Sequence, residues 1–136
     1  MENDFICPIC RGHLRIGNDL IFSLKKSDNK KGMILLSPEL GNYTFRKHPS
    51  FELTKGEELV FYCPICHANL TSDVDKNLVK VTMIDEKGDK YEILFSDIVG
   101  EKCTYKVKGK EVTRLGEDAE RYKKYWDLPD EYKKYL

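Results

Sequence analysis

The chain has 136 residues and a mass of 15.9 kDa, so it reads as one domain able to bury its own core without disulfides. Its 23 basic residues balance 23 acidic ones, which argues against a nucleic-acid coat or a polybasic membrane binder, because both rest on excess positive charge. No apolar run approaches the ~18 residues of a membrane span, and the acidic start Met1-Glu2-Asn3-Asp4 lacks a basic leader pattern, so a cytoplasmic location is expected.

In chain order, the first feature is a tight cysteine turn, Cys7-Pro8-Ile9-Cys10. Asp19 to Leu24 and Met33 to Leu36 then read as strands, joined by a polar connection from Lys25 to Gly32 into a hairpin. Tyr43-Thr44-Phe45 looks extended. Phe51-Glu52-Leu53 and Glu58 to Tyr62 flank Lys55-Gly56 and suggest a second hairpin, which feeds into Cys63-Pro64-Ile65-Cys66. Leu78 to Met83 and Tyr91 to Phe95 alternate strongly and enclose a turn at Asp85 to Asp89, the clearest hairpin in the chain. Ser96 to Gly100 is read as a short helical turn. Cys103 to Val107 and Glu111 to Thr113 flank Lys108-Gly109-Lys110 as another hairpin. Beyond Gly116 the β-branched residues disappear, and Leu115, Ala119, Tyr122 and Trp126 fall at helical spacing. The expected fold class is therefore β-rich α+β. A β domain would span residues 1–115, and a C-terminal helical extension, residues 116–136, would pack on it or dock a partner.

The five cysteines, at 7, 10, 63, 66 and 103, are an odd count and do not suggest a secreted disulfide framework. Four of them form two Cys-x-x-Cys pairs inside a longer match. Residues 5–14 and 61–70 share the frame Phe-x-Cys-Pro-Ile-Cys-x-x-x-Leu, with six identities over ten positions. Two thiolates on one tight turn can face a single ion, while backbone N–H groups of the turn donate to the sulfurs. Pro stiffens the turn, and the flanking Phe and Leu would tie it to the core. Two such turns supply a closed set, Cys7, Cys10, Cys63 and Cys66, that suits one structural Zn²⁺; iron in a rubredoxin-like site is the nearest rival.

These two knuckles resemble those of the zinc-ribbon group, which read C-P-x-C and sit on β-hairpins. The resemblance covers the two ten-residue segments only. It implies a zinc ribbon, to which the elements read above add a long inserted hairpin region, a following meander and the C-terminal helix. Ribbon knuckles often carry Gly directly after the second Cys, where this chain has Arg11 and His67.

The remaining candidates carry less. His13 and His67 neighbour the knuckles and could replace a thiolate, but four cysteines already satisfy zinc, so both read as surface or outer-layer groups. His48, before Pro49, has no assigned role. Cys103 reads as a small buried apolar residue, since a nucleophile needs a base and a depressed pKa. Lys25, Lys26, Lys30, Lys31, Arg46 and Lys47 are the best basis for RNA or DNA binding. Tyr122-Lys123-Lys124-Tyr125 and Tyr132-Lys133-Lys134-Tyr135 form a small repeat, but residues 117–136 carry five basic and six acidic groups, so packing with a solvated edge is the expected role. Charge is also uneven, with five basic and ten acidic groups in residues 51–100.

No phosphate loop, nucleophile elbow or HExxH segment is present, and a closed Cys₄ site leaves no position for water, so no enzyme activity and no small-molecule substrate are expected. The expected function is a small zinc-binding interaction or adaptor module with a protein partner, and nucleic-acid binding is the alternative.

Overall fold

A computed structural model describes residues 3–40, 42–72, 75–109 and 111–116. Among these residues ten strands form: β1 (Asp4–Ile6), β2 (Arg15–Ile16), β3 (Asp19–Lys25), β4 (Lys31–Leu36), β5 (Phe45–Lys47), β6 (Val60–Tyr62), β7 (Leu78–Ile84), β8 (Lys90–Ser96), β9 (Thr104–Lys108) and β10 (Glu111–Leu115). They make two antiparallel sheets. One runs β1-β7-β8-β9-β10; the other runs β2-β3-β4-β5, with β6 also on the edge of β3.

The alternation that marked β3 and β7 as strands also sets their faces. Leu20, Phe22 and Leu24 of β3 are buried, as are Val79, Val81 and Met83 of β7. These inner faces share one core with Phe5, Ile34, Phe61 and Ile93. Three rings anchor it, with Phe22 and Phe61 at 5.4 Å and Phe61 and Phe95 at 5.3 Å, both edge to face. The outer face of the β7 sheet carries a second cluster of Leu78, Leu94, Cys103, Tyr105 and Val107.

The chain is a tandem duplication that reaches far beyond the knuckles. Each repeat is a leading strand, a knuckle and a three-stranded meander: β1 then β3-β4-β5, and β6 then β7-β8-β9. The register is equivalent throughout. Ile6 bridges His13 as Tyr62 bridges Asn69, and Arg15 pairs with Leu20 as Thr71 pairs with Val79. Leu36 pairs with Leu20 and Phe45, as Phe95 pairs with Val79 and Thr104. The first hairpin turns agree as well. Lys26 N donates to Lys30 O at 2.8 Å, and Asp85 N to Asp89 O at 3.0 Å. Asn29 and Gly88 occupy the same left-handed position, with φ of 69° and 87°. The second repeat differs by three extra residues between knuckle and meander.

The repeats exchange their leading strands. β1 pairs with β7 of the second repeat, and β6 pairs with β3 of the first. Phe5 sits opposite Met83, and Phe61 opposite Leu24, so the exchange itself is two-fold symmetric.

This architecture corrects the sequence reading. The described residues are all β, in two sheets, and not α+β. The C-terminal helical extension is expected over residues 116–136, and all of it beyond Gly116 lies outside the described residues. The inserted hairpin region with a following meander is replaced by two equivalent meanders. The Phe51/Tyr62 hairpin does not form, because β6 finds its partner in β3, and the Phe51 ring packs on Gly32 instead. Ser96 to Gly100 is not helical: Ser96 ends β8, and Ile98 bridges Glu58. In the last two cases a long-range strand pairing overrides a plausible local reading.

Candidate metal centre

Each knuckle is a short loop closed by its own backbone. Cys7 N donates to Gly12 O at 3.0 Å and Arg11 N to Cys7 O at 2.9 Å; the second knuckle repeats these with Cys63 N to Ala68 O at 3.0 Å and His67 N to Cys63 O at 2.9 Å. The loop turns amides onto sulfur. Ile9 N and Cys10 N point at Cys7 Sγ, at 3.3 and 3.4 Å, and Gly12 N points at Cys10 Sγ, at 3.3 Å. Ile65 N and Cys66 N point at Cys63 Sγ, at 3.4 and 3.5 Å. Such donors stabilise a thiolate and orient it.

Closing this loop requires a left-handed residue after the second cysteine. Arg11 takes φ of 62° and His67 takes φ of 63°. Both are side-chain-bearing residues in a conformation that glycine adopts more readily.

The exchange of leading strands brings the knuckles together. Phe5, Leu14, Phe61 and Leu70 are buried beneath them, and Leu14 N bonds Phe5 O at 2.8 Å as Leu70 N bonds Phe61 O at 2.9 Å. Cys7 and Cys63 are fully buried, while Cys10 and Cys66 are exposed. Each buried sulfur meets the exposed sulfur of the other repeat: Cys7 Sγ lies 3.8 Å from Cys66 Sγ, and Cys10 Sγ 3.8 Å from Cys63 Sγ. All four sulfurs lie within 4.8 Å of one another, so together they could hold a metal ion. Burial pushes the Cys7 thiol up to about 12, against the opposing pull of the Cys10 and Ile9 amides. A cation bound by the four sulfurs would displace such protons.

The histidines stay out of the sulfur cluster. His13 Nδ1 pairs with Asp4 Oδ2 at 2.6 Å, and His48 Nδ1 lies 2.6 Å from Ser50 Oγ. His67 serves through its backbone. Cys103 is buried in the second cluster, away from the knuckles, and stands just before β9.

The six cations of the nucleic-acid alternative are dispersed in role. Lys25 and Lys31 are cross-strand partners, and Lys30 lies in their turn. Lys26 is mostly covered; its Nζ donates to Glu52 O and lies 3.9 Å from Glu57 Oε1. Arg46 pairs with Asp19, and Lys47 sits opposite Ile34.

Sequence reading passed over Asp97, a buried acid outside the sulfur cluster. It is 4% exposed, and Asn77 Nδ2 donates to its Oδ1 at 3.2 Å. A signal for the wider duplication was present in Lys31-x-x-Ile34-Leu35-x-Ser37-x-x-x-Gly41, which recurs as Lys90-x-x-Ile93-Leu94-x-Ser96-x-x-x-Gly100.

The chain matches no known protein-family model, no curated protein and no solved structure.

Proposed function

We infer that the protein is a zinc-binding interaction module of zinc-ribbon type, in which one structural Zn²⁺ pins the two repeats together. The observation that carries this reading is the set of four sulfurs, two from each repeat, all within 4.8 Å of one another. A tetrahedral zinc site with Zn–S bonds of ~2.3 Å has S···S edges of about 3.8 Å, and the two cross-repeat pairs stand at 3.8 Å. Four thiolates fill the coordination sphere, so the metal acts in folding and not as a Lewis acid. A protein partner is favoured by the knuckle tips. Ile9 and Ile65, at equivalent positions beside the cysteines, are 67% and 56% exposed.

Elemental analysis of the purified chain tests the metal. One zinc per chain, lost in Cys63→Ser, supports the reading. Iron with thiolate-to-metal absorption in the visible, or no metal at all, refutes it. For the partner, affinity capture with and without nuclease is compared between the native chain and an Ile9→Ser/Ile65→Ser variant. A protein retained only by the native chain supports docking at the tips. Capture that depends on nucleic acid refutes it.

A further inference from the structure

The duplication leaves a cavity of about 330 Å³ between the repeats. Its walls come in equivalent pairs: Phe5 and Phe61, Ile34 and Ile93, Leu36 and Phe95. The connections that follow β4 and β8 form its mouth, so it lies on the pseudo-two-fold relation between the repeats. Apolar walls of this size fall within the range of small-molecule pockets.

The two repeats contribute different polar groups. Where the first has Pro38, the second has Asp97, which lines the cavity. Its carboxyl takes the single side-chain hydrogen bond from Asn77, and the other oxygen accepts none from any described residue. Burial pushes its pKa up to about 6, and the carboxylates of Glu58, Glu101 and Asp75 push in the same direction, while the Asn77 bond opposes them. Among the described residues no cation forms an ion pair with Asp97. Glu39, Glu101 and Lys102 also line the mouth, two acids against one base.

We propose that this cavity binds a small apolar amine, with the hydrocarbon between Phe5, Phe61, Ile34 and Ile93 and the ammonium at Asp97. An ammonium supplies the missing donor and the missing charge together. A carboxylate ligand would meet like charge, and a neutral alcohol would supply the hydrogen bond alone.

The test is calorimetric titration of the metal-loaded chain at pH 7.5 with three isosteric probes: 4-phenylbutylamine, 4-phenylbutan-1-ol and 4-phenylbutyrate. The amine is expected to bind at least tenfold more tightly than the alcohol, and the carboxylate most weakly. Asp97→Asn should lower amine affinity at least tenfold and leave the alcohol unchanged. Methyl resonances of Ile34 and Ile93 in the native chain should shift on amine addition, which localises the probe without any variant. The proposal is overturned by absence of amine binding, by equal affinity for the carboxylate, by an unaltered amine affinity in Asp97→Asn, or by shifts confined to surface residues.

Discussion

Phe5 of the first repeat sits opposite Met83 of the second, and both side chains are fully buried. Phe61 makes the mirrored pair with Leu24. The leading strand of each repeat thus completes the sheet of the other, and the knuckle that follows it is carried to the seam. The sulfur cluster is a consequence of this exchange.

Neither repeat has its own leading strand to protect the edge of its meander. Residues 1–57 and 58–136, expressed separately, are each expected to lack cooperative unfolding, and to regain it when mixed with metal. Circular dichroism with thermal melting checks this. A sharp, independent transition in either fragment would show that the exchanged strands are dispensable.

Phe5→Ala removes a buried ring that belongs to both repeats. A loss of about 3–5 kcal/mol is expected from such truncations. Chemical denaturation measures it, and a loss under 1 kcal/mol would mean that the site collapses around the gap.

Metal removal should be felt by the whole fold, because the four cysteines that could hold the ion divide evenly between the repeats. Structural zinc contributes ~10 kcal/mol or more in small domains that lack another core. This chain has a core, so the expected loss is smaller, on the order of several kcal/mol. Thermal melting with and without a strong chelator reads it, and an unchanged midpoint would remove the clamp role.

Asp97 makes stability depend on pH. Its folded pKa, about 6, lies above the ordinary 3.8, so between these values the folded state holds a proton that the unfolded state has lost. Stability therefore falls as pH rises from about 4 to about 6 and stays lower above that. Asp97→Asn keeps an acceptor for Asn77 and cannot ionise. The variant should match the native chain near pH 4 and exceed it at pH 7, by up to about 3 kcal/mol. Denaturation at several pH values decides this, and parallel profiles would contradict it.

Arg11 and His67 hold left-handed backbone that favours glycine. The strain of a side chain there, about 1–2 kcal/mol, exceeds the ~0.5–1 kcal/mol that Gly loses in chain entropy. Arg11→Gly and His67→Gly should each be neutral or stabilising by up to about 1 kcal/mol, with metal content retained. A clear destabilisation would assign these side chains a contact of their own.

The sequence by itself singled out the four cysteines that could hold a metal ion. Two cysteines separated by two residues share one tight turn, so their convergence is a local property of the chain. Alternation likewise marked β3, β4, β7 and β8, since one face of each had to be buried. The knuckle match pointed to duplication, but only over ten positions. The rest of the repeat is carried by strand register, and many different side chains satisfy the same register. Tyr91 stands where the first repeat has Gly32, and Val81 where it has Phe22.

Tertiary structure alone decided which strands pair. Val60–Tyr62 reads locally as the return strand of a hairpin from Phe51, yet its partner is Ser23–Lys25 in the other repeat. Hydrogen-bond donors on a strand edge carry no address, and burial of Phe61 against Phe22 and Phe95 selects the distant partner. The same packing turned Asp97, an unremarkable acid in the sequence, into a buried carboxyl beside an apolar cavity.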